Sequence, residues 1–235
     1  MKKIIALIAL LSLSSCAELQ QIASQYPQLG NMQNPDIAAG LKEALNNGIS
    51  KQVSKLTATD GFYKNEAVKI LLPQELQKVD KTLRNIGMSS LADEGLKVLN
   101  RAAENAVKEA TPIFVDAVKN MTFYDAKNIL MGNDSAATLY LQNSTTTALY
   151  GKFSPVIQSS LSKVGADKVW ANIIRKYNSI PLVNKVNPDL KDYVTKEATK
   201  GVFTMVAVEE KAVRTNLDAR TSDILRKVFA LQDIK

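Results

Sequence analysis

The sequence predicts an all-α fold, a single multi-helix globular domain behind a short leader. Apolar residues recur at spacings of three and four almost throughout residues 36–235, strand-like alternation is scarce, and no internal repeat is present. Glycine, proline and asparagine interrupt the pattern at intervals suited to helix ends. An apolar fraction of 46% over 235 residues is enough for one substantial core.

The first element stands outside that core. Met1-Lys2-Lys3, an apolar run over residues 4–13 and then Ser14-Ser15-Cys16 follow the order of a secretory signal peptide, residues 1–15. The apolar run is about half of the ~20 residues that a membrane-spanning helix needs. Leu13-Ser14-Ser15-Cys16 resembles a bacterial lipobox, whose cysteine receives a diacylglyceryl group and becomes the new N-terminus. Cys16 is therefore the expected lipidation site and the expected link to a membrane, because two or more acyl chains give stable anchoring. Ala17 follows the cysteine where retention signals carry Asp. By resemblance to Gram-negative sorting rules, this points to the outer membrane, facing the periplasm. Cys16 is the only cysteine, so its acylation leaves no thiol for a disulfide. Residues 16–35 then read as the lipidated cysteine and a polar tether containing Pro27 and Gly30, with a coil reach of roughly 25 Å.

The helices follow in order. Asn34 and Pro35 suit a cap and first helical position. The first stripe is Ile37, Leu41, Ala44, Leu45, Gly48, Gln52, Val53 and Leu56, broken at residues 57–62 around Gly61. Leu72, Leu76, Val79, Leu83 and Ile86 form a second stripe between Pro73 and Gly87. Ser89 or Ser90 caps a third, with Leu91, Gly95, Val98, Leu99, Ala102, Ala103, Ala106, Val107 and Ala110 inward. Thr111-Pro112 starts a short helix burying Ile113, Phe114, Ala117 and Val118. Thr122 to Asp125 resembles a capping box ahead of a helix that stops at Gly132. Asn133 or Asp134 is expected to cap the next helix, which runs past Pro155 to about Val164. After Gly165, Val169, Trp170, Ile173, Ile174 and Tyr177 recur at helical spacing. Pro188 opens a long helix through Leu190, Val194, Ala198, Gly201, Met205 and Val208; its apolar stretch at 202–208 should be the most buried part. A last helix carries Ile224, Leu225, Val228 and Phe229, with Thr221 or Ser222 as cap.

Composition excludes several function classes. The formal charge is +7, or +5 once Lys2 and Lys3 leave with the leader. The lysines are dispersed among acids, without the basic and aromatic interleaving of a nucleic-acid platform, so no nucleic-acid partner is expected. The chain has no histidine, which removes histidine triads and histidine-based zinc sites. No metal site and no cofactor is predicted.

A series of phrases resembles an uncharacterised bacterial lipoprotein family of the Gram-negative envelope, known only as a domain of unknown function. They include Asn100-Arg101-Ala102-Ala103-Glu104, Pro112-Ile113-Phe114, Met121-Thr122-Phe123-Tyr124-Asp125-Ala126 and Phe153-Ser154-Pro155. Further along come Asp189-Leu190, Gly201-Val202-Phe203, Glu209-Glu210, Arg214 and Ala219-Arg220-Thr221. The resemblance runs from about Ile37 to Phe229 and implies an envelope location and one helical domain. It implies no activity.

The candidate polar residues each carry a structural and a functional reading. Glu209 and Glu210 directly follow the most apolar stretch; a half-buried carboxylate suits a general acid, but Arg214 stands four residues after Glu210, at salt-bridge spacing. Asn100, Arg101 and Glu104 lie within a small-residue helix and either orient a polar ligand or form a register-setting network. Asp134, beside Asn133 at a helix start, marks an anion site or an ordinary cap. Thr138, with Thr145, Thr146 and Thr147, lines a wet groove or a plain surface. Arg220 binds an anion or locks the C-terminal helix to a nearby acid.

These observations lead to a membrane-anchored, periplasm-facing lipoprotein whose helical domain binds a protein partner or a small amphipathic ligand without catalysis. The alternative is a carboxylate-dependent, hydrolase-like envelope enzyme using Glu209 and Glu210, assisted by Glu104, Arg101, Arg214 or Arg220. That alternative requires these residues to share one concave pocket. The sequence leaves oligomeric state open.

Overall fold

The computed structural model describes residues 34–233 apart from 73–76, 78–80, 82, 83, 86, 88, 180, 183, 186 and 188. At positions 34–36, 91, 173, 176 and 177 it describes the backbone alone. The expected leader, Cys16, the tether as far as residue 33, and Leu76, Val79, Leu83 and Ile86 of the second stripe lie outside the described residues, and the last two tether positions, Asn34 and Pro35, already belong to the first helix.

The described chain forms eight α-helices and one 3-10 turn, with no strand among the described residues. They are α1 (Asn34–Thr57), α2 (Ser89–Val107), α3 (Ala110–Asn120), α4 (Phe123–Met131), α5 (Ala136–Ser162), α6 (Ala166–Asn178), α7 (Leu190–Thr215) and α8 (Asp223–Ala230). The 3-10 turn, Leu217–Ala219, links the last two. The fold is all-α, as the spacing of apolar residues predicts.

The two longest helices, α5 and α7, pack along one another, and α2 lies across α5. α1 runs over α3, α4, α7 and α8, which makes it the strap of the domain. Two apolar clusters result. The larger joins the C-terminal half of α1 to α2, α3, α5, α6 and α7, and takes in Phe62, Val68 and Ile70 from the segment after α1. The smaller joins Leu41 and Ala44 of α1 to α4, Ala137 of α5, Val213 of α7 and Leu225, Val228 and Phe229 of α8.

Local chemistry sets several helix ends. The Thr122 hydroxyl accepts from Asp125 N–H while the Asp125 carboxylate accepts from Thr122 N–H, a full capping box at the start of α4. A bond from the Thr122 hydroxyl at 2.7 Å, and then the one from its N–H, hold the Asp125 carboxyl below the usual carboxylate range. The Ser222 side chain caps α8. Asp189 caps α7, accepting from Asp192 N–H. The third stripe is split, with Ala110 opening α3 rather than closing α2.

Burial departs from the apolar pattern at three inward candidates. Gly95, Val169 and Val208 are exposed. Their helices carry apolar stripes wider than the neighbouring helices cover. Within residues 202–208 of α7 the other side chains are buried or half-buried.

Two glycines mark close approaches. On α1, a Cβ at Gly40 would stand 2.6 Å from Val228 Cγ2, so α8 docks against bare backbone. On α7, a Cβ at Gly201 would stand 2.7 Å from Phe62 Cε1, and the fully buried Phe62 ring rests there.

Candidate functional site

Glu210 and Arg214 lie on α7 where it passes the junction between α4 and α5. Their side chains are nearly closed to solvent and bonded to each other at 2.8 Å. Glu210 Oε1 also accepts from Ala137 N–H, and Oε2 accepts from Thr138 N–H and the Thr138 hydroxyl, at 2.7–2.8 Å. Those amides belong to the first turn of α5, where the Ser135 side chain makes no cap. Glu210 therefore caps α5 from another helix, and its negative charge complements the positive end of that helix dipole. Arg214 donates to the carbonyls of Ile129 and Leu130 in the last turn of α4. One acid and one base thus tie two helix ends to a third helix.

The expected local cap at α5 is corrected. The Asn133 side chain accepts from Ser135 N–H and its hydroxyl in the turn, and Asp134 is exposed. The free amides that suggested an anion site at Asp134 are occupied by Glu210.

Glu209 points the other way, toward α1. Its carboxylate accepts from Lys51, at 2.6 Å, and from the Gln52 amide. Gly48 makes room for it, since a Cβ there would stand 3.1 Å from Glu209 Cγ. Glu209, Glu210, Arg214 and Gly48 line a small space between the helices with a volume of about 40 Å³. That is room for a very few water molecules, not for an organic substrate.

Asn100, Arg101 and Glu104 dock the segment that follows α1. Asn100 exchanges two bonds with the Ile70 backbone, at 2.8 and 2.9 Å, as a neighbouring strand would. Arg101 joins Glu104 Oε2 and Asp60 Oδ1, each at 2.7 Å, and Glu104 Oε1 accepts from Phe62 N–H. Asp60 has φ of 66°, and its bonds to Lys64 and Arg101 hold the carboxyl below its ordinary range.

Arg220 closes the other end of the molecule. It donates to the Val213 and Arg214 carbonyls at the end of α7 and forms a two-pronged pair with Asp233, at 2.5 and 2.8 Å. These bonds hold the Asp233 carboxyl below its usual range.

The candidate residues thus divide among three places. Glu209, Glu210, Arg214 and Thr138 meet at the α1–α5–α7 crossing, Asn100, Arg101 and Glu104 meet at the loop, and Arg220 lies at the C-terminus. Each carboxylate oxygen of Glu104, Glu209 and Glu210 already accepts a bond from within the fold. Among the described residues, no group of three metal-ligating side chains comes together.

A different feature has the shape of a binding site. An open groove of about 440 Å³ runs between α5 and α7. Thr146 and Gln142 form one wall, Thr199, Lys200 and Thr204 the other, and Phe203 and Ala207 contribute apolar surface. Of the threonines read as groove candidates, Thr146 lines this groove, whereas Thr145 is buried with its hydroxyl on the Leu141 carbonyl and Thr138 is buried with its hydroxyl on Glu210. The α7 side of the groove was invisible in the sequence, because its polar residues recur among the apolar ones of a long helix.

At one end of the groove, the Tyr150 hydroxyl donates to Asp192 Oδ1 at 2.6 Å, and Asn187 and Lys196 donate to Oδ2. Burial pushes the Asp192 carboxyl up, but the bonds from Lys196 and Tyr150 more than offset this and leave it lowered. The bond to Asp192, with burial, pushes the Tyr150 phenol up to about 12. A raised phenol contributes stability in full below its unfolded pKa near 10, and that contribution fades as pH rises through about 12. Spectrophotometric titration should therefore show a phenol ionising near pH 12 that is absent from Tyr150→Phe. A Tyr150 that titrates near pH 10 would contradict the bond to Asp192.

Comparison with known proteins adds one finding. No curated protein and no solved structure matches the chain. The model of one family, described as proteins of unknown function (DUF4197), matches residues 31–230, which include all eight helices. The chain belongs to the DUF4197 family.

Proposed function

We propose that this protein is a lipoprotein held at the periplasmic face of the outer membrane through Cys16, and that its helical domain binds an amphipathic ligand in the α5–α7 groove without catalysis. One observation carries the binding half. The buried ionisable groups Glu104, Glu209, Glu210, Arg214 and Arg220 are all committed to bonds inside the fold, whereas the groove leaves polar and apolar groups facing solvent. Its apolar floor at Phe203 and Ala207 suits a hydrocarbon portion, and Lys200 suits an anionic head, while the Thr146, Thr199 and Thr204 hydroxyls, each donating to the carbonyl four residues earlier, are left as acceptors for a polar group. The lipobox-like Leu13-Ser14-Ser15-Cys16 supports the anchoring half.

The test is mass spectrometry of the processed full-length protein, extracted gently from its own membrane. Denatured spectra are expected to show diacylglycerol on the N-terminal cysteine. Native spectra are expected to show a further mass that disappears on denaturation. Thr146→Trp fills the groove and should abolish that further mass while leaving the helical circular dichroism unchanged. An unacylated chain sinks the anchoring half. A bare protein, or a ligand retained by Thr146→Trp, sinks the groove.

A further inference from the structure

Among the described side chains, the exposed aromatic rings are Phe123 and Tyr124, adjacent on α4, and Tyr124 is 70% exposed. The other exposed large apolar residues are aliphatic or methionine. Single exposed apolar side chains need no explanation. An adjacent pair of rings on one short helix is different, and it continues at helical spacing through Lys127 to Met131, which is 40% exposed. The opposite face of α4 is ordinary core, with Ala126, Ile129 and Leu130 buried against α1 and α8. The capping box fixes the outer face, because it consumes both Thr122 and Asp125 and sets the direction in which the first turn starts.

The position of this face in the chain supplies the occupant. α4 packs on the N-terminal half of α1, the part of the domain nearest in sequence to Cys16. The Lys42 ammonium donates to the Lys119 carbonyl at 3.0 Å, which places the third turn of α1 beside the α3–α4 junction. Phe123 and Tyr124 follow Lys119 by only a few residues. Chain length limits the distance between Cys16 and Asn34 to about 65 Å, so anchoring through Cys16 would keep the domain near the bilayer, and the start of α1 is where the tether joins it. A tyrosine ring with an apolar body and a polar tip, beside a phenylalanine and a nearby lysine, is what the headgroup layer of a membrane accepts.

We infer that the outer face of α4, carrying Phe123, Tyr124, Lys127 and Met131, beds into the lipid headgroup layer and gives the tethered domain a fixed orientation on the membrane. This rests on the anchoring proposed above.

The experiment separates the two ideas. Full-length, processed Tyr124→Cys and Lys127→Cys proteins, with Val164→Cys as a control at the α5–α6 turn, are labelled with a solvent-sensitive nitrobenzoxadiazole thiol reagent. They are then reconstituted in vesicles of phosphatidylethanolamine and phosphatidylglycerol. Tyr124, Lys127 and Val164 are all exposed, so each substitution leaves the core intact. The expected result is quenching by aqueous iodide about fivefold weaker at 124 and 127 than at 164, and only with vesicles present. Equal quenching at the three positions on vesicle-bound protein overturns the inference and leaves the anchoring intact. Shielding at 124 that is already present without vesicles also overturns it, because protein then covers the face. A second label per chain reports an unacylated Cys16 and removes the anchoring reading. In that case vesicle-dependent shielding at 124 still supports the docking face, and its absence overturns both.

Discussion

Replacing Glu210 by alanine is expected to destabilise the domain by about 3–5 kcal/mol, the cost of leaving a buried guanidinium without its partner. Arg214 would lose its acid, and the amides of Ala137 and Thr138 would lose the acceptor that caps α5. For a domain of this size the midpoint of thermal unfolding should fall by roughly 10 °C. Arg214→Ala should cost a similar amount, because it strands Glu210 and frees the last carbonyls of α4. The two losses share one interaction, so the double variant should be far less destabilised than their sum. Urea unfolding of the four proteins measures this. Additive losses would mean that the two side chains act independently.

The second large effect lies at the contact between Phe62 and Gly201. Phe62→Ala should cost about 3–5 kcal/mol, because a fully buried ring is removed from the larger cluster. Gly201→Ala should cost about 1–3 kcal/mol, since its new methyl meets the ring at 2.7 Å. Leucine at position 62 withdraws the atoms that make that clash. In a Phe62→Leu background, Gly201→Ala should become neutral or stabilising by up to about 1 kcal/mol, through the higher helix propensity of alanine. An alanine that costs the same in both backgrounds would show that the ring is not what position 201 accommodates.

These two sites show how far the sequence can be read. The Glu210–Arg214 spacing was visible, because i,i+4 neighbours are fixed by helix geometry alone. The capping of α5 by Glu210 was not, because cap signals are sought within a few residues, where Asn133 and Asp134 stood ready. Gly201 was visible as a member of an apolar stripe, but the reason for a glycine there is a ring that arrives from the segment after α1. Arg101 and Glu104 showed their mutual pairing through their spacing. Their joint grip on Asp60 and Phe62 depends on a loop path that periodicity does not describe. Val169 and Val208 illustrate the converse: an apolar residue at the right spacing is a candidate for burial, and only a neighbouring helix makes it buried. Helix existence was therefore legible from local pattern, and the groove and the caps were not, since both are made by residues distant in the chain.

The cap at the α4–α5 junction also has a consequence for the order of events in synthesis. The acceptor for the α5 amides stands 72 and 73 positions downstream, and the donor for the α4 carbonyls 84 and 85 positions downstream. A ribosome that has released both short-range halves of this junction has not yet made the residues that close it. Until α7 emerges, the turn carries open amides and carbonyls and gains nothing from closing a loop of that length. The α4–α5 junction is thereby a part of the domain that closes late, once about nine tenths of the chain is present.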